Sequence, residues 1–106
     1  MFKKNYSAIS PKDSKDMMSA DTNTVLLDVR EKYEYESGHI KQSKNIPVGS
    51  INASKGKLPS DKETAIIAYC LSGARSRTAC KILAGLGYTN LYNLGAIYAW
   101  PYGVVK

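Results

Sequence analysis

A cysteine stands between a short apolar segment and a helical one, and this placement constrains the fold more than any other feature. Residues 65–69 read Ala-Ile-Ile-Ala-Tyr, Cys70 follows, and residues 77–86 carry apolar side chains at helical spacing. A short apolar run of this kind predicts a strand buried on both faces, as in a parallel sheet flanked by helices. The strand would deliver the thiol to a loop at a helix N-terminus, where backbone N–H groups favour an anion such as a thiolate.

The rest of the chain alternates between helical and strand patterns. Ser10 is suited to an N-cap and Pro11 to a first helical position, which together predict a helix over residues 11–20. The other expected elements are strands over 25–29, 64–69 and 91–94, a brief extended piece over 45–48, helices over 31–36, 76–86 and 96–100, and an exposed connection over 54–62. Strands that alternate with helices predict an α/β fold with an open parallel sheet covered on both faces. In such a sheet the site lies at the carboxyl ends of the strands, where Cys70 stands.

Length and composition indicate one domain over residues 1–106 that folds without a partner. The net charge of +6 comes from scattered basic residues, without the clustering of a nucleic-acid surface, so we expect no nucleic-acid partner. No apolar run is long enough to span a bilayer, and we expect no membrane association. The expectation is a cytoplasmic monomer, although removal of a signal peptide would leave the same sequence.

The chain contains two cysteines, Cys70 and Cys80, ten positions apart. They are too few for a disulfide scaffold, and their spacing does not match a Cys-x-x-Cys redox or zinc site. Because there is only one histidine as well, the sequence predicts no metal site. Cys80 lies among apolar residues of the predicted helix, which favours a buried, inert thiol over a resolving thiol.

A set of short motifs occurs in the order and rough spacing of one known family. They are Asp28-Val29-Arg30, Glu34-Tyr35, Gly38-His39-Ile40, Asn45-Ile46-Pro47, Cys70-x-x-Gly73-x-Arg75-Ser76, Gly87-Tyr88 and Tyr92-Asn93-Leu94. By these motifs the chain resembles the single-domain form of the rhodanese (sulfurtransferase) domain over about residues 10–103. The resemblance implies a five-stranded parallel sheet with helices on both faces, a persulfide on the loop cysteine, and no cofactor. One departure lies at residues 94–96, where the family commonly has one more residue, and it puts the shape of the pocket in question.

The residue types of the loop suit sulfur transfer. The reaction needs a nucleophile that takes up a sulfane sulfur and releases it again, and a polarizable thiolate does this, so Cys70 is the predicted catalytic residue. Small loop residues allow successive backbone N–H groups to point at the bound sulfur, and Gly73 tolerates whatever φ this curve requires. The predicted substrate-binding residues are Leu71, Ser72, Gly73, Ala74, Arg75 and Ser76. For Arg75 two roles stay open: contact with an anionic donor, or a salt bridge that fixes the start of the helix.

For three other polar residues, the sequence context favours a structural role over a catalytic one. His39 follows the short helix and is expected to make structural hydrogen bonds rather than to act as a general base. Asp28 and Arg30 stand at a strand end that faces the active edge, and we expect them to anchor loops rather than to contact substrate.

The expected activity is transfer of sulfane sulfur from thiosulfate or a persulfide, through a Cys70 persulfide, to cyanide, a small thiol or a protein thiol such as a thioredoxin-like protein. One alternative is a persulfide carrier or binding module with little turnover. Another is a phosphatase or arsenate reductase on the same kind of fold. The enzymes of that second class that resemble this fold use Cys-x5-Arg, whereas four residues separate Cys70 from Arg75. The shorter loop predicts a ring suited to one sulfur atom.

Overall fold

In a computed structural model, which describes residues 5–106, a five-stranded sheet forms the centre of the molecule. Its strands are β1 (Ser7–Ala8), β2 (Val25–Asp28), β3 (Lys44–Asn45), β4 (Ile66–Cys70) and β5 (Leu91–Ala96). They lie in the order β1-β5-β4-β2-β3, and every neighbouring pair is parallel. The predicted fold class is therefore confirmed. The residue pattern did not indicate β1, because this strand consists of two exposed residues at the sheet edge.

Three α-helices connect the strands: α1 (Pro11–Ala20), α2 (Lys32–Ser37) and α3 (Ala74–Gly85). The prediction for α1 is confirmed at both ends, and the Ser10 side chain caps the helix by accepting from the N–H of Asp13 at 3.0 Å. Short 3₁₀ helices occupy Val48–Ser50, Asn52–Lys57 and Ile97–Ala99. The expected connection over 54–62 thus begins inside a helical segment, and the expected terminal helix is a single turn.

The start of α3 differs from the prediction over 76–86. The helix begins two residues earlier, at Ala74, because Gly73 serves as its N-cap. This difference matters for the site, since it brings Arg75 and Ser76 into the first turn. The N–H groups of a first turn have no partner within the helix and can bind an anion instead.

Both faces of the sheet are covered, as the apolar strands predicted. Successive side chains of a strand point to opposite faces. Leu27 and Ile66 therefore pack with Leu83 of α3 on one side, while Leu26 and Ile67 form a second cluster on the other. Methionines of α1 pack against that second cluster. The two layers hold the central strands rigidly, so the residue at the end of β4 has a fixed position.

The short segment at residues 94–96 lies beside the loop that follows β4. The pairing of β4 with β5 shifts register after Ala68, so that Tyr69 pairs with Gly95 and Cys70 with Ala96. A Cβ atom placed on Gly73 would lie 3.6 Å from the Cα of Gly95. The segment where the chain departs from the family pattern therefore forms a wall of the cysteine loop. Within the described part of the chain, no helix is long and apolar enough to cross a membrane.

Candidate active site

Cys70 is the last residue of β4, in the middle of the sheet. It is only 1% exposed, although Leu71, the next residue, is half exposed. The thiol therefore lies just beneath the surface at the carboxyl edge of a parallel sheet, which is where ligands bind in folds of this architecture.

The loop curls over the sulfur, so that backbone N–H groups surround it. The N–H of Gly73 donates to Sγ of Cys70 at 3.0 Å, and the N–H of Ser76 donates at 3.3 Å. The N–H of Arg75 also interacts with the sulfur, with a smaller effect on the pKa of Cys70. Two of these donors belong to the first turn of α3, so the sulfur also lies at the positive end of the helix dipole. The N–H groups of Gly73, Arg75 and Ser76 therefore form a cradle of main-chain donors around the free cysteine.

Gly73 makes this curve possible. Its φ is +107° and its ψ is −14°, a conformation that residues with a Cβ rarely adopt. This conformation turns the N–H of Gly73 back toward Cys70 and at the same time starts α3. The freedom of glycine in φ, which the sequence suggested for this loop, is therefore used at Gly73.

The balance of effects on the sulfur favours the thiolate. Burial is the largest single influence and works to raise the pKa of Cys70. The polar Ser76 side chain and the hydrogen bonds from the N–H groups of Ser76, Gly73 and Arg75 together outweigh burial. The pKa of Cys70 consequently lies below that of an ordinary thiol, which is what a nucleophilic cysteine needs.

Ser76 joins the cysteine to β5. Its buried Oγ lies 3.6 Å from Sγ of Cys70, 3.0 Å from the carbonyl oxygen of Gly73 and 2.6 Å from Oδ1 of Asn93. The hydroxyl has one proton to donate, and the Asn93 oxygen is the nearest acceptor. Asn93 thereby positions Ser76 beneath the sulfur. Sequence reasoning gave Asn93 no role in the site, although it lies in one of the motifs that carried the family resemblance.

Arg75 makes a salt bridge with Glu34 of α2. Nη1 donates to Oε1 at 2.6 Å and Nη2 to Oε2 at 3.0 Å, the paired geometry typical of guanidinium with carboxylate. Hydrogen bonding from Arg75 is the main reason why the pKa of Glu34 falls to about 2. Of the two roles open for Arg75, the salt bridge is the one observed. Donor contact stays a prediction, and Glu34 is a neighbour of the loop that sequence reasoning did not identify.

The expected structural roles of Asp28, Arg30 and His39 agree with their contacts. Nη2 of the buried Arg30 donates to Oδ2 of Asp28 and to the carbonyl of Gly38, each at 2.7 Å. Nδ1 of His39 lies 2.9 Å from the carbonyl oxygen of Tyr35, and the two rings stack. These contacts fix the connection between α2 and β3, which in turn positions Glu34.

Cys80 and the exposed loop residues are the remaining residues that the sequence analysis considered for the site. Cys80 is fully buried on α3, and burial raises the pKa of its thiol to about 12, which agrees with an inert role. Ser72 and Ala74 are exposed in the loop, and their contact with a donor stays a prediction. Within residues 5–106, no group of three or more acidic, histidine or cysteine side chains is arranged to hold a metal ion.

Comparisons with known proteins agree with this geometry. A family model described as the rhodanese-like domain matches residues 10–101, so the chain belongs to the rhodanese-like domain family. It is 40% identical over 83 residues to a protein of Allochromatium vinosum named as a sulfurtransferase, covering 76% of each chain. It is also similar to the crystal structure of a rhodanese-related protein from Thermoplasma volcanium. That similarity has a TM-score of 0.79 and 29% identity over 94% of this chain and 98% of the other.

Some curated relatives are considerably longer than the matched region. A Schizosaccharomyces pombe protein, provisionally named as a mitochondrial thiosulfate sulfurtransferase, is 40% identical over 87 residues, or 71% of this chain. The chain spans 61% of that protein and 24% of two relatives in Mycobacterium tuberculosis. Family membership and the sulfurtransferase names of relatives support rhodanese-type sulfurtransferase activity in general.

Proposed function

We propose that the chain transfers sulfane sulfur through a persulfide on Cys70. The donor is thiosulfate or a persulfide, and the acceptor is cyanide, a small thiol or a protein thiol such as that of a thioredoxin-like protein. The observation that carries the proposal is the pair of N–H groups, from Gly73 and Ser76, that point at Sγ from 3.0 and 3.3 Å. Such a cradle stabilises negative charge on sulfur, both before attack and after a second sulfur has been added.

In the first step the Cys70 thiolate attacks the outer sulfur of the donor. A new S–S bond forms to Sγ, and the donor's own S–S bond breaks with its electron pair. Thiosulfate then leaves as sulfite, whereas a persulfide leaves as the parent thiolate. No net oxidation or reduction occurs, since one S–S bond replaces another. The loop N–H groups hold the charge that moves onto the new terminal sulfur.

In the second step the acceptor attacks that terminal sulfur. Cyanide leaves as thiocyanate and a thiolate leaves as a persulfide, while the electron pair of the broken S–S bond returns to Sγ. The same N–H donors stabilise the regenerated Cys70 thiolate, so one cradle serves both steps. Leu71 and Ser72 are exposed beside the sulfur, which leaves room for the acceptor to approach.

The loop length argues against phosphate or arsenate chemistry. A tetrahedral oxyanion needs donors around three oxygens at a distance from the nucleophile, whereas here the donors already lie within hydrogen-bond reach of the sulfur itself. The carrier alternative uses the same persulfide and differs from the enzyme in turnover. Kinetics with small donors and acceptors therefore separates those two functions.

The test is intact mass after incubation with thiosulfate or an alkyl persulfide, followed by addition of cyanide or a thiol. We expect a gain of one sulfur atom that is lost on addition of acceptor. Cys70→Ser should abolish the gain, whereas the matched control Cys80→Ala should retain it. Sulfur uptake by Cys70→Ser, or hydrolysis of an aryl phosphate by a parent protein that takes up no sulfur, would refute the proposal. Uptake with very slow release to every acceptor would favour the carrier.

A further inference from the structure

Among residues 5–106, Glu34 is the one acidic residue whose side chain forms a salt bridge with the cysteine loop. Arg75, its partner, is the only cation between Cys70 and Ser76. The pairing joins residues 41 positions apart in the chain and brings α2 against the start of α3. The loop thus carries a guanidinium whose charge is already compensated before any donor binds.

The Glu34 carboxylate is held in place by a second contact besides the salt bridge. Glu34 also accepts from the backbone N–H of Glu31 at 3.0 Å, as part of the capping box that begins α2. The Glu34 side chain is only 15% exposed, and its pKa of about 2 keeps it ionised at every pH at which the protein would work. The carboxylate is therefore a permanent negative charge beside the loop, and it does not need to move to reach Arg75.

Donors of sulfane sulfur differ in charge, so a fixed charge such as that of Glu34 can affect which donor reacts. Attack of a thiolate on thiosulfate brings together one negative charge and a dianion, and it releases sulfite. Attack on a persulfide with an uncharged alkyl group involves at most one negative charge on the donor. Arg75 lies close enough to Cys70 for the charges of the two groups to interact. A free cation at that position would favour the dianion strongly, whereas a neutral ion pair favours it little.

We infer that Glu34 is a specificity-determining residue: by neutralising Arg75 it turns the site away from thiosulfate and toward persulfide donors. This inference rests on the proposed function. Glu34 acts on the donor through Arg75 and is not itself in contact with the reacting atoms. In both reactions the bonds formed and broken are those given above, and only the charge of the leaving group differs.

The decisive variant is Glu34→Gln, which removes the charge and keeps an oxygen that can accept from Glu31 and Arg75. The measurement is kcat/KM with thiosulfate and with an uncharged-alkyl persulfide, using cyanide as the common acceptor at low ionic strength. We expect the thiosulfate value to rise about tenfold relative to the persulfide value, since one uncompensated charge near the sulfur has an effect of that order. Competitive inhibition by sulfite should strengthen by a similar factor.

Glu36→Gln is the matched control. Glu36 lies on the same helix, is exposed, and its substitution changes the net charge equally. The ratio of the two donors should stay unchanged in this variant. If Glu34 merely orients Arg75 for direct contact with thiosulfate, Glu34→Gln will lower the thiosulfate value instead. That outcome, an unchanged ratio, or an equal loss with both donors would overturn the inference.

A second variant keeps the inference testable if Glu34→Gln fails to fold. Arg75→Gln leaves the Glu34 carboxylate uncompensated, so thiosulfate use should fall at least about tenfold more than persulfide use. Equal losses with both donors would contradict a role in donor choice. Failure of the proposed function is distinguishable from either result, because the parent protein would then gain no sulfur from any donor.

Discussion

Replacement of Gly73 by alanine tests whether the cradle depends on one backbone conformation. The φ of +107° lies where an L side chain is strained, and a Cβ there would meet the Cα of Gly95 at 3.6 Å, an ordinary contact distance. The penalty of Gly73→Ala is therefore conformational rather than steric. Residues held in such sparsely populated regions cost about 1–3 kcal/mol.

The protein can respond to this strain in two ways, which two measurements separate. If the loop keeps its shape, the free energy of unfolding falls by about 1–3 kcal/mol and the Cys70 thiol is unchanged. If the loop relaxes, the N–H at 3.0 Å from Sγ is lost. The pKa of Cys70 then rises, and sulfur transfer falls by about a hundredfold or more, as for loss of one oxyanion donor. Denaturant unfolding gives the first quantity, and the pH dependence of alkylation by iodoacetamide gives the second.

Gly85→Ala is the matched control. Gly85 is the exposed last residue of α3, and a Cβ there would meet no atom within 4 Å. This substitution should leave the thiol unchanged and stabilise the fold by up to about 1 kcal/mol, because it restricts the unfolded chain. If Gly73→Ala retains the parent's stability, thiol pKa and activity together, the argued dependence on a positive φ is wrong.

Two further predictions follow from the neighbours of the loop. Ser76→Ala leaves Oδ1 of Asn93 without its donor, so we expect a loss of about 1–3 kcal/mol in stability; denaturant unfolding checks this, and a free energy of unfolding equal to the parent's would contradict it. Because the Glu34 pKa falls to about 2 from an ordinary 4.5, the stabilisation from its salt bridge is present above about pH 5 and is lost as the pH falls toward 2. The stability difference between the parent and Glu34→Gln, up to about 1 kcal/mol, should therefore vanish across that range in acid unfolding; a difference that persists at pH 2 would refute the assignment.

Local sequence pattern was sufficient to predict the elements on either side of Cys70. The apolar run before Cys70 predicted β4, and the small residues after it predicted the loop, because burial and chain flexibility follow from side chains close in sequence. The cap and proline of α1 predicted that helix in the same way. The start of α3 was misplaced by two residues, since a glycine N-cap with positive φ has no distinct signal in the residue types alone.

Contacts between segments distant in the chain could not be predicted from local sequence pattern. The pairing of Glu34 with Arg75 joins α2 to α3 across 41 positions, and Asn93 reaches Ser76 across 17. The short strand β1 exists because β5 offers it an open edge, and its own residues are too few and too exposed to carry a pattern. Residue types were enough to predict the fold class, the position of Cys70 after a buried strand and the loop that follows it. The order of strands in the sheet determined which polar groups meet the loop, because only the assembled sheet brings the ends of β2, β4 and β5 to one edge.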